Sequence, residues 1–126
     1  MARVLALVPD LLFGSRVQAD LSAGGHEVTL IGDEQRLRER LHDADAAHAQ
    51  VLVVDLTDAQ LQGAALVESL REAGSLAGVA TLGFYSHVDA AAKERAQAAG
   101  FDLVVPRSRM AREGALLAAQ VGARSS

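Results

Sequence analysis

VLVVDLTD, residues 51–58, decides how this chain is read. Val51, Leu52, Val53 and Val54 form an unbroken apolar run, three of the four β-branched, and the run ends on a carboxylate, Asp55. A continuous run of this kind, rather than an alternating one, fits a strand buried on both faces, as in a parallel sheet. Asp55 then stands where the strand leaves the core. At such a place a carboxylate can accept a phosphoryl group, ligate a metal, or simply solvate the rim and cap the next helix.

Similar runs lie on either side: RVLALV (3–8), EVTLI (27–31), VATLGFY (79–85) and DLVVP (102–106). Helical spacing separates them. Phe13, Val17 and Leu21 recur at i, i+4, i+8 before Gly24-Gly25 stops the pattern. Leu37, Leu41 and Ala44 make a second stripe, and Leu66, Leu70 and Ala73 a third, ended by Gly74. DAAAKERAQAAG (89–100) opens on Asp89 as an N-cap, carries Ala92, Ala96 and Ala99 on one face and stops at Gly100. A last helix holds Leu117 and Val121. Strict alternation of five strands with five helices implies an α/β fold with helices on both faces of a parallel sheet. Right-handed crossovers reduce the topologies chiefly to a doubly wound, flavodoxin-like order 2-1-3-4-5. The reading is one domain over residues 1–122 with a polar tail, 123–126.

The totals exclude several classes. The chain has 126 residues, enough for one ordinary core, and a formal charge of -4, which disfavours a nucleic-acid-gripping domain. It has no cysteine, so disulfides, thiolate catalysis and cysteine-ligated zinc are impossible. No run approaches the length of a membrane span and the N-terminus lacks a signal pattern, so the expectation is a cytoplasmic protein. There is no GxGxxG after the first strand and no GxxxxGK[ST], which leaves dinucleotide and P-loop nucleotide binding unsupported. His26, His42, His48 and His87 show neither HxH nor HExxH spacing.

In a doubly wound sheet the functional crevice lies beyond the carboxyl ends of the strands, where strand order reverses. That rule gathers Asp10, Asp55, Ser86 and Arg107 on one rim. With those residues in those places, the chain from Arg3 to about Val121 resembles a response-regulator receiver (CheY-like) domain. The resemblance implies that Asp55, in QVLVVDLTD, matches the phosphoacceptor. It implies that Ser86, in GFYSH, matches the hydroxyl residue after the fourth strand. Asp10, in LVPD, matches one member of the acidic pair that holds magnesium with the acceptor.

The departures from that pattern bear on chemistry. Val8 or Pro9 stands at the first acidic position, leaving Asp10 and Asp55 as a weak Mg²⁺ site. Arg107 replaces the lysine and Ser108 the proline after it, while Val104 replaces the switch aromatic. No Met-Pro follows Asp55. A guanidinium keeps the charge of the lysine but not its compact geometry. The reading is therefore an atypical, or pseudo-receiver, module of a bacterial signalling pathway. It is not an enzyme, it acts through protein contacts, and phosphorylation at Asp55 is weak or absent. Two other readings stay open: a working phosphoacceptor using Asp55 and Mg²⁺, and a small-molecule sensor or enzyme of flavodoxin-like fold.

The expected partner is a signalling protein or a second copy, met through helix 4, strand 5 and helix 5. Arg107, Arg109 and Arg112 form a basic run within an acidic chain, with Met110 among them, and Asp89 and Glu94 of helix 4 can answer it across a two-fold axis. The plainer alternatives are solvated charges on that face, and Ser86 and Asp89 used only to start a helix.

Overall fold

The computed structural model describes residues 2–124, of whose side chains that of Arg124 is excepted. The elements run β1 (Arg3–Leu7), α1 (Leu11–Ala23), β2 (Glu27–Ile31), α2 (Glu34–His42), β3 (Val51–Asp55), α3 (Gly63–Glu72), β4 (Ala80–Tyr85), α4 (Ala90–Ala98), β5 (Leu103–Pro106) and α5 (Arg107–Arg124). All strand pairs are parallel, and the sheet has the order β2-β1-β3-β4-β5 expected from the alternation. The three inner strands are buried almost throughout, as their continuous apolar runs require. The edge strands β2 and β5 are only partly covered.

Because side chains alternate along a strand, each strand feeds both layers. Val4, Ala6 and Val53 point to the layer made with Phe13, Val17 and Leu21 of α1 and Met110, Leu117 and Val121 of α5. Leu5, Leu7, Leu52 and Val54 point to the other, closed by Leu37 of α2, Leu66, Val67 and Leu70 of α3 and Ala96 of α4. Gly83 sits in β4 where nothing larger fits: a Cβ there would lie 2.7 Å from Leu56 Cδ1 and 3.0 Å from the Phe101 ring.

Some boundaries differ from the sequence reading. Ala44 and Ala73 are exposed, because α2 ends at His42 and Ala73 is already the C-cap of α3. Alanine matches an apolar stripe without enforcing one. The buried face of α3 uses Ala64 and Val67 instead. Helix α5 runs past residue 122 to Arg124, so the expected tail is partly helical, and residues 125–126 lie outside the described residues. Among the described residues no helix is long and apolar enough to cross a membrane.

Two polar devices tie the elements at the end of the sheet opposite Asp55. Asp102 Oδ2 accepts from the Thr81 amide at 2.7 Å, from the Thr81 hydroxyl at 3.1 Å and from Arg71 Nη2 at 3.4 Å, joining α3, β4 and the start of β5. His26 is buried, and its Nδ1 accepts from the Ala2 amide at 3.0 Å. Its Nε2–H donates to the Ala115 carbonyl at 2.8 Å, just beyond a non-helical kink in α5 at Glu113. One neutral tautomer serves both bonds.

Candidate functional site

Asp55 ends β3 opposite Phe84 of β4, and only 3% of its surface is exposed. The chain turns back at once. The Thr57 amide donates to Asp55 Oδ1 at 2.8 Å, and the Thr57 hydroxyl donates to the same oxygen at 2.6 Å. Oδ2 accepts no hydrogen bond from a described residue. The one side-chain polar atom both buried and unpartnered among the described residues is Arg71 Nε, so Asp55 Oδ2 touches solvent. Burial pushes the Asp55 carboxyl above the ordinary carboxylate range. The two Thr57 bonds and the positive charge of Arg107 pull it back, and the neighbouring Asp58 pushes it further up.

Asp55 does not cap α3, contrary to one of the plainer expectations. That helix starts after Gln62, held at a φ of 48°, with no side-chain cap bond. Asp58 organises the intervening loop by accepting from the Gln60 and Leu61 amides.

Asp10 is the N-cap of α1. Its Oδ1 accepts from the Leu12 amide at 2.9 Å and the Phe13 amide at 3.1 Å. Its Oδ2 lies 3.9 Å from Arg107 Nη2. Arg107 opens α5 directly from β5, and its guanidinium lies over the Phe13 ring, 4.1 Å from the centroid. Phe13 in turn meets Phe84, the strand partner of Asp55, with 5.1 Å between ring centroids. The stacking fixes where the cation sits: beside Asp10 and above Phe13, without an ion pair to Asp55.

Ser86 follows β4 and its carbonyl accepts from the Asp89 amide at 2.8 Å. With Phe13, Arg16, Thr57, Arg107 and Ser108 it lines an open cavity of about 430 Å³ on the α1–α5 side of the rim. Ser86 and Arg107 thus share one cavity, while Asp10 and Asp55 border the same rim without lining it.

The charges expected on an interaction face take separate roles. Asp89 caps α4 by accepting from the Ala92 amide at 3.0 Å. Arg109 pairs with Glu113 within its own helix at 3.2 Å. Met110 is buried in the core. Arg112 faces a groove between α5 and α1, near Arg16 and Asp20. Glu94 is exposed on α4, beside Arg95, which reaches Glu68 of α3 at 2.7 Å.

Three residues of the site escaped the sequence reading: Thr57, Arg16 and the second use of Phe13. Thr57 left a signal, since Asp-x-Thr at a strand exit lets the hydroxyl and amide return to the carboxylate. Arg16 and Phe13 left none beyond helix spacing, because what they meet is set by α5, far along the chain.

No protein-family model matches this chain, and no curated protein does. Solved structures do. A putative response regulator from Chloroflexus aurantiacus superposes with a TM-score of 0.85 at 16% identity, covering 98% of each chain. The receiver domain of the Francisella response regulator 1452 gives a TM-score of 0.76 at 18% identity over 100% of both chains. The receiver domain of a sensor histidine kinase from Pseudomonas aeruginosa, solved with a magnesium ion in its active-site cleft, gives 0.80 at 15% identity, covering 97% of this chain and 98% of that one. The chain therefore has the receiver-domain, CheY-like form of the flavodoxin-like fold, over its whole length.

Proposed function

We propose that this chain is an atypical receiver: a cytoplasmic signalling module that works by contact with a protein partner, with phosphorylation of Asp55 slow or absent. Whole-length likeness to receiver domains supports the signalling role. The observation that carries the atypical part is the double commitment of Asp10. One of its oxygens caps α1 and the other faces a guanidinium at 3.9 Å.

Phosphoryl transfer to a carboxylate needs charge neutralised on the transferring group, usually by Mg²⁺, which demands near-octahedral oxygen ligands. The Pseudomonas receiver holds such an ion in its cleft. In this chain the donor set argues against one. Asp55 offers a single open oxygen, Asp10 is engaged, and Arg107 already places a cation at the rim. Among the described residues no three His, Cys, Asp or Glu side chains are grouped to hold a metal.

Incubation with acetyl phosphate and Mg²⁺, followed by intact-mass spectrometry, tests the proposal. The expected result is little or no gain of a phosphoryl group over hours. Rapid, near-complete modification abolished in Asp55→Asn would support the second reading, a working phosphoacceptor, which the solvent contact of Asp55 Oδ2 favours.

A further inference from the structure

The end of the sheet opposite Asp55 holds a second hollow, of about 280 Å³, beside the loop that joins α2 to β3. Its apolar wall includes Leu5 of β1, Ala49 just before β3 and Val79 just before β4, all buried. Its polar lining is Arg40, Asp43, His48 and Ser75. Arg40 and Asp43 carry opposite charges in one small space and do not pair with each other. Neither forms an ion pair with any described residue. We propose that this hollow binds a small aliphatic α-amino acid as its zwitterion, the carboxylate on Arg40 and the ammonium on Asp43.

Both charges keep open donors or acceptors for it. Asp43 closes α2, and its Oδ1 accepts from the Asp45 amide at 2.9 Å, while Oδ2 accepts from no described residue. Arg40 gives one N–H to the Ala47 carbonyl at 3.3 Å, and its other four bond no described residue. A guanidinium fork takes a carboxylate by both oxygens, and the Ser75 hydroxyl and His48 ring, neither bonded to a described residue, stand in the same lining. A dipolar ligand spanning the hollow satisfies both charges at once. A simple anion or cation meets one attraction and one repulsion.

The frame is held in place by its own backbone bonds. The Ala46 amide donates to the Asp43 carbonyl at 3.2 Å, and the Gln50 amide to the Arg3 carbonyl at 2.9 Å, which ties the loop at both ends. His48 Nε2 lies 3.4 Å from where a Cβ of Gly78 would stand, so the ring packs on the turn between α3 and β4. The volume is at the low end for small-molecule sites, and with the wall of Leu5, Ala49 and Val79 it suits a short branched side chain. The inference goes beyond the signalling role. It gives the module a small-molecule input at the end of the sheet away from the rim, whether or not Asp55 accepts a phosphoryl group.

Amide NMR of the full chain tests it with L-valine, and with isovalerate and isobutylamine, which lack the ammonium and the carboxylate of valine respectively. At neutral pH and constant ionic strength, valine should give saturable shifts at Leu5, Ala46, Ala49, Ser75 and Val79, with Thr57 and Ser86 unmoved. Each analogue should need about tenfold more to reach half-saturation, as loss of one charge-assisted contact predicts. Asp43→Asn keeps the acceptor for Asp45 and should abolish the advantage of valine over isovalerate. Arg40→Gln should abolish its advantage over isobutylamine, and Arg40→Lys should restore part of it. The unliganded spectrum of each variant reports its fold, and the comparison of analogues in the parent protein stands without the variants. Linear shifts with valine, half-saturation by either analogue at the same concentration as valine, or unchanged discrimination in either folded variant would each overturn the proposal.

Discussion

Thr57 holds Asp55 by two bonds to one oxygen, the hydroxyl at 2.6 Å and the amide at 2.8 Å, so the two oxygens of that carboxylate have different lives. Oδ1 belongs to the loop. Oδ2 belongs to the rim.

Thr57→Val keeps the shape and the amide bond and removes the hydroxyl bond. The expected cost is about 1 kcal/mol at neutral pH, read from urea unfolding. The Asp55 carboxyl should also move further up, because the Thr57 side-chain bond is the largest influence lowering it. Carbon-detected NMR titration of that carboxyl reports the movement, and Thr57→Ser should reverse it. An unchanged titration would mean the hydroxyl does not serve the carboxylate in solution.

The pH dependence has a definite sign. Burial raises Asp55 above its ordinary value of 3.8, so the folded state binds that proton more tightly than the unfolded chain. The contribution of this group to stability therefore falls as pH rises from 3.8 towards the raised folded value, and the loss is complete above it. Asp55→Asn keeps an acceptor for Thr57 and carries no charge. It should be more stable than the parent at neutral pH, with the difference shrinking to nothing below pH 3.8. Thermal melts across that range, in metal-free buffer, decide it. A less stable Asn variant at neutral pH would show that ionised Asp55 is net stabilising.

Asp10→Ala removes the N-cap of α1 and should cost about 1 kcal/mol. Asp10→Asn retains capping oxygen and should cost far less, although it also loses the long-range pairing with Arg107. Equal losses in the two variants would place the stabilisation in the charge rather than the cap.

Gly83→Ala forces a methyl against Leu56 and the Phe101 ring, contacts of 2.7 and 3.0 Å. Overpacking of this kind costs about 2 kcal/mol. Leu56→Ala in the same chain should relieve part of it, a coupling that a double-mutant cycle measures.

Asp102→Ala strips Thr81 of its amide acceptor and Arg71 of its ion pair. Roughly 1 to 2 kcal/mol should be lost, and the Thr81 amide should exchange with solvent faster than its neighbours in β4.

The sheet was legible because Val51–Val54 and Val4–Leu7 are continuous where a strand buried on both faces must be continuous. Phe13, Val17, Leu21, Leu117 and Val121 were legible for the matching reason in helices, a large side chain at every buried turn. Ala44 and Ala73 misled because alanine is as content outside a core as inside. At the site, Asp10, Asp55, Ser86 and Arg107 could be assigned to one rim, since strand ends and chain topology determine that much. The sequence could not say that Asp10 would spend itself on a helix start, or that Arg107 would lie on Phe13 rather than reach Asp55. The first is a local choice that Asp10 makes between capping and the rim, whereas the second depends on the approach of α5 to α1, a contact between segments almost a hundred positions apart. The stretch 107–112 shows the same dependence on context: written together, its members diverge around a helix, Arg107 to the rim, Met110 to the core and Arg112 to a groove.

The kink at Glu113 divides α5 by purpose. Before it, Arg107, Ser108 and Ala111 form one bank of the cavity; beyond it, Ala115 is bolted through His26 to the amide of Ala2, at the far end of the sheet. One helix thus joins a rim-facing arm to an arm tied to the opposite end of the sheet, and the two meet at Glu113, which Arg109 grips from one turn earlier at 3.2 Å.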